Sequence, residues 1–83
     1  AHPVSLMVVG SGTASLNCSE WPEGGLVTVR IEDPENCKSI TFIKAGGNTI
    51  SDDIEPAGEF EVDGVGYVVF RMPPYAINVK VTF

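Results

Sequence analysis

The sequence predicts an all-β chain: a small sandwich or rolled antiparallel sheet of six to seven short strands, with a β-grasp-like arrangement as the alternative. Three observations carry the prediction. Nine Gly and six Pro divide 83 residues into short pieces, and both residue types interrupt helices and favour turns. Between these breaks apolar residues recur at every second position, the pleat period of a half-buried strand. Helical spacing of apolar residues, at i, i+3, i+4 and i+7, occurs in no stretch free of Gly and Pro, so no amphipathic helix is expected. A chain of this length makes one domain, residues 1–83, with a small core and modest stability.

The elements follow in order. Val4 to Val9 is the first strand, Gly10-Ser11-Gly12 a turn, and Thr13 to Asn17 the returning arm of a hairpin. Ser19 to Gly25 reads as a loop holding Trp21. Leu26 to Ile31 is a strand with Val27, Val29 and Ile31 on one face and Thr28 and Arg30 on the other. Asp33-Pro34-Glu35-Asn36 is a turn, with Pro at a favoured position and Asn tolerant of positive φ. In the strand Lys38 to Lys44, Ile40 and Phe42 point inward and Thr41 outward. Ile43 breaks the alternation, which calls for cover on both faces or a bulge.

Ala45 to Gly58 is the least patterned region. Ile50 and Ile54 flank Ser51-Asp52-Asp53, where a single helical turn with Ser51 as N-cap is the most regular structure expected. From Glu59 to Asp63, Phe60 and Val62 are expected inward and Glu59, Glu61 and Asp63 outward. Asp63-Gly64-Val65-Gly66 is a hairpin turn, and Tyr67 to Met72 the next strand. Pro73 and Pro74 stop the ladder because neither donates an N–H. Ile77, Val79, Val81 and Phe83 then alternate with Asn78, Lys80 and Thr82. This is the clearest half-buried strand in the chain, and the rest is expected to cover its apolar face.

A net charge of −6 and a pI near 4.4 argue against nucleic acid, whose binding needs clustered basic residues, and against an anionic membrane surface. The longest apolar run, Leu6 to Val9, is far short of the ~20 residues of a spanning helix, so no membrane insertion is expected. No basic region precedes a long apolar stretch, so no signal peptide is expected either.

Residues able to carry chemistry are few. His2 is the only histidine and lies at the start of the chain, so no nucleophile has a positioned base. Two Cys and one His do not make a zinc site, and no glycine-rich loop precedes a helix. The expectation is no enzyme activity, no catalytic residues and no cofactor. The acidic groups (Glu32, Asp33, Glu35; Asp52, Asp53, Glu55; Glu59, Glu61, Asp63) read as solvated surface, with calcium as the alternative at Asp52, Asp53 and Glu55, which sit in a loop where carboxylate and carbonyl oxygens can converge.

Cys18 and Cys37 form either a bridge or two separate thiols. Closing a ~20-residue loop would stabilise by about 3 kcal/mol. Yet the two flank opposite ends of the strand Leu26 to Ile31, about 20 Å apart if that strand is straight. Trp21 and Tyr75, in expected loops, are either ligand-contact aromatics or lids over the open end of the core. Asn17-Cys18-Ser19 matches a glycosylation acceptor.

The closing segment, Phe70 to Phe83, carries a resemblance. Phe70, Met72, Pro73, Ile77, Val79, Val81 and Phe83 occupy the positions of the approximate pattern F-x-M-P-x-x-x-V-x-V-x-A-x-F of the divergent InlB B-type repeats, which this segment resembles; these are small all-β domains of bacterial surface and secreted proteins. Gly24 to Pro34 resembles a second, weaker segment of that family, and the Leu6 to Leu16 region its opening hairpin. Asn36-Cys37 stands where the family usually has Gly-Tyr, and the Ala45 to Gly58 loop is longer and more acidic. The resemblance implies a non-enzymatic extracellular module of a bacterial cell-surface protein, a spacer or adhesion unit with neighbouring domains and an unidentified protein or glycan partner. The alternative is an accessory glycan-binding domain of a secreted enzyme, holding its ligand through Trp21 and Tyr75.

Overall fold

Nearly every stretch in which apolar residues alternate becomes a strand. The computed structural model describes all residues, Ala1–Phe83. In chain order the strands are β1 (His2–Val9), β2 (Ala14–Leu16), β3 (Glu20–Trp21), β4 (Leu26–Ile31), β5 (Ser39–Lys44), β6 (Pro56–Val62), β7 (Val65–Arg71) and β8 (Ile77–Thr82). A single 3₁₀ turn, Pro34–Asn36, separates β4 from β5. The strands form two four-stranded sheets, ordered β3-β1-β8-β5 and β2-β4-β7-β6. The architecture is an all-β sandwich, and without a longer helix the β-grasp alternative does not hold. The eighth strand, β3, lies in the expected loop at Ser19 to Gly25, where His2 and Pro3 pair with Trp21 and Glu20.

The core lies between the sheets and is built by alternation. Val27, Val29 and Ile31 from β4, Phe70 from β7, and Ile77, Val79 and Val81 from β8 are buried, joined by Val4, Met72 and Phe83. Asn78, Lys80 and Thr82 face the outer side and stay half-exposed. Each buried side chain of this size contributes about 1.5–3 kcal/mol. Only 13 of 83 residues are buried, so each core contact carries a large share of the stability. Phe42 meets Phe70 edge to face, ring centroids 4.7 Å apart, and ties β5 to the opposite sheet.

Several expectations are corrected by the register. The sheets are not wholly antiparallel: β1 runs parallel to β8, from Val4 beside Ile77 to Val9 beside Thr82. Gly10-Ser11-Gly12 does not close a hairpin. It carries the chain from one sheet to the other, where β2 pairs with β4. The reason is Phe83. Its N–H donates to the Val9 carbonyl at 2.8 Å, and its ring lies against Gly12, where a Cβ would stand 2.4 Å from the ring carbons.

Ile43 is paired without a bulge opposite Asn78. It is half-covered on its outer side because residues 49–51 fold back beside β5: Ile43 bridges Ile50, and the Ser51 N–H donates to the Phe42 carbonyl at 2.7 Å. That return replaces the helical turn expected at Ser51, and it leaves Ile50 63% exposed.

The β6–β7 hairpin closes through a two-residue turn, Asp63 (φ 52°) and Gly64 (φ 78°), with Val62 opposite Val65. Paired positive φ values match the twist of the flanking strands. This register reverses the expected faces of β6. Phe60 pairs with Tyr67, on the outer side, whereas Glu59 and Glu61 pair with Val68 and Gly66 on the inner side. Phe60 and Val62 are therefore about half exposed, at 51% and 50%.

Candidate functional site

The larger of two concavities runs along β6, with the exposed Glu59 and Glu61 among its lining residues. β6 is an edge strand, and the flank between it and β5 stays open. The resulting cleft, about 340 Å³, has an apolar floor including Ile31, Pro34, Ile40 and Val68, with Cys37 in its wall and Glu59 and Glu61 at its border. Phe60 and Tyr67 also line it, their rings stacked 5.1 Å apart at 15°. Arg30 is held charged by hydrogen bonding to Glu32 and Tyr67. Its ion pair with Glu32, at 2.8 Å, is exposed on both sides and adds little stability. Such a cleft can hold an apolar group; it contains no base paired with a nucleophile.

The smaller concavity, about 180 Å³, opens at the end of the sandwich where β4 and β8 begin. It is lined by Glu23, Gly24, Asp53, Glu55, Arg71, Met72, Pro73 and Pro74. Arg71 spans it, donating to the Gly24 carbonyl at 3.1 Å. Beside it lies a polar cluster that fastens the 45–55 segment to the body of the domain. Tyr75 donates to an Asp53 carboxylate oxygen at 2.6 Å, and the Ser51 hydroxyl bonds both Asp53, at 3.0 Å, and the Tyr75 hydroxyl. The Lys44 ammonium sits 5.1 Å above the centre of the Tyr75 ring.

These bonds hold the Asp53 carboxyl below its ordinary range, the Tyr75 bond being the largest cause. Burial, and then the bond to Asp53, push the Tyr75 phenol up. Ser51 is buried, and its polar atoms are satisfied. The Ser51-Asp52-Asp53 pattern was legible as a side-chain capping signal. Its partner is Tyr75, 24 residues away, and nothing local in the sequence points to it.

The residues singled out by sequence fall as follows. Trp21 is 38% exposed. Its indole N–H donates to the Leu26 carbonyl at 2.7 Å, and its ring covers Gly25, where a Cβ would lie 2.5 Å from it. Tyr75 packs against the core and is engaged by Ser51, Asp53 and Lys44. Cys18 and Cys37 stand as two separate thiols packed at the margin of the core. Burial pushes the Cys18 thiol up.

Asn17 extends β2 by a side chain: its carbonyl oxygen accepts from the Thr28 N–H at 2.9 Å, and its amide reaches the Leu26 carbonyl at 3.4 Å. Of Asp52, Asp53 and Glu55, only Asp53 has side-chain partners, and no three acidic, His or Cys side chains converge on one point. Glu59 and Glu61 are exposed, as their reading as solvated surface required, but alternation gave no sign that they border a cleft. No protein-family profile, curated protein or solved structure matches the chain.

Proposed function

We propose that the chain is a non-enzymatic extracellular module of a bacterial cell-surface protein, set between neighbouring domains as a spacer or adhesion unit. One observation carries the reading: β1 and β8 are parallel neighbours. The chain therefore enters the domain at the end where Val4 meets Ile77 and leaves it at the end where Val9 meets Thr82. At ~3.3 Å per residue, the paired segment separates entry from exit by about 20 Å. A module with entry and exit at opposite ends lengthens a string of modules by its own span. One with both on the same side would fold the string back.

The resemblance of the closing segment to the InlB B-type repeats is the support for the bacterial and extracellular setting. Most of the residues that carry it, Phe70, Met72, Ile77, Val79, Val81 and Phe83, are core residues, so the motif describes the packing of this sandwich and names no ligand. Trp21 and Tyr75 are each engaged within the chain, which favours the spacer reading over glycan binding. The reading expects no hydrolase turnover.

The test is small-angle X-ray scattering on two copies of the chain joined end to end. The spacer reading expects a maximum dimension greater than that of one copy by at least the ~20 Å of the paired strands. Two copies lying side by side, no longer than one, would contradict it.

A further inference from the structure

The strands through which a neighbouring domain would pull on this one pair with each other. We infer that the β1–β8 ladder is a mechanical clamp, which holds the domain folded under tension applied through its two ends. The inference rests on the spacer reading for its purpose and on topology for its mechanics.

A pull on Ala1 draws β1 back past the end where Val4 meets Ile77. A pull on Phe83 draws β8 out past the end where Val9 meets Thr82. The two strands are thus driven along each other in opposite directions. The ladder bonds of a parallel pair cross between the strands at a slant and at even spacing, so sliding loads the six paired positions together instead of opening them one at a time. The backbone groups of Val9 face β8, since the Val9 carbonyl accepts from Phe83, whereas the Val4 N–H turns away to Ser19. By the same alternation Ser5 and Met7 face β8. The other side of β8 is bonded to β5 over six residues, from Lys44 beside Ile77 to Ser39 beside Thr82. Drawing β8 out loads that ladder as well.

The side chains work in the same direction. Ile77 is 1% exposed, and Val79 and Val81 are fully buried. A slip of one residue would carry Asn78 and Lys80 into the core and the apolar side chains out of it. Resistance to forced unfolding follows the height of this barrier, not the equilibrium stability, so a domain with a small core can still resist force. β6, exposed along its whole length, lies outside the β1–β8 and β5–β8 ladders.

The test is single-molecule pulling on the full chain in two geometries at one pulling speed. In the first, handles are attached at Ala1 and Phe83. In the second they are attached at Phe83 and at an azide-bearing residue replacing Ser11, which follows the last β1 rung, so that β1 peels from β8 rung by rung. The clamp predicts a rupture force several-fold higher through the ends than in the peeling geometry. It also predicts that Met7→Pro, which removes an N–H facing β8, lowers the force through the ends, while Phe60→Ala on β6 leaves it unchanged. Equal forces in the two geometries would overturn the inference, and that comparison needs no core variant to fold. Equal forces would leave the spacer reading standing. Two joined copies that scatter as a folded-back pair would overturn the spacer reading and leave the force result intact.

Discussion

β6 and β8 look alike in sequence and differ in what surrounds them. Both alternate apolar and polar residues: Phe60 and Val62 among carboxylates in one, Ile77, Val79 and Val81 among Asn78, Lys80 and Thr82 in the other. β8 has a strand on each side and the second sheet beneath it, and its apolar residues are buried. β6 has a strand on one side only, and its apolar residues point away from the core. Alternation establishes that a strand has two unlike faces. Which face is covered, and whether anything covers it, is set by the strand's place in the sheet and by its register. The acidic edge of β6 also suits its position, because charge on an unpaired edge discourages pairing with another chain.

The harshest way to break this contrast is to remove β8. A chain ending at Ala76 loses the β1–β8 and β5–β8 ladders and the apolar side of the core in one step, and it should show no cooperative thermal transition. Removing a residue of β6 should do far less. A paired substitution sharpens the contrast at single-residue scale. Phe70→Ala should cost about 3–5 kcal/mol in urea unfolding, from lost burial and the cavity left behind. Phe60→Ala should cost at most about 1 kcal/mol, the stacking on Tyr67 at an exposed site. Similar costs for the two would mean that Phe60 is buried in solution and that the register of β6 differs.

The smallest expected effect belongs to the polar cluster that ties the 45–55 segment to Tyr75. The native Asp53 pKa is lowered, so the folded state binds fewer protons there than the unfolded chain. The contribution is present above the ordinary carboxylate value, about 3.9, and is lost as pH falls through the native value. Tyr75 is shifted the other way, so its contribution is present below about pH 10 and is lost as pH rises through its native value. Asp53→Asn should flatten the acid side of the stability profile and leave the pH 6–8 region nearly level, as measured by melting temperature across pH. An unchanged acid limb would separate Asp53 from the fastening of this loop.

Much of the fold was legible because the strands that build the core obey local rules. Val27, Val29 and Ile31, and Ile77, Val79 and Val81, are buried as their spacing required, and Gly64 marked the hairpin turn. What was not legible depends on partners distant in sequence. The parallel pairing of β1 with β8 is a contact between the two ends of the chain, and the sheet change at Gly10–Gly12 follows from where the Phe83 ring sits. The inner position of Glu59 and Glu61 follows from a two-residue turn where a longer one was expected. The Ser51–Tyr75 bond joins a loop to the Pro-Pro turn, and neither segment's own sequence announces the other.

Native-state amide hydrogen exchange, read residue by residue, tests most directly the claim that the closing strand organises the fold. The slowest amides of β8 should exchange only through global unfolding, with the same free energy as denaturant unfolding, whereas the amides of β6 should exchange through local opening at a clearly lower free energy. β6 amides as slow as those of β8, or β8 amides that open below the global value, would contradict it.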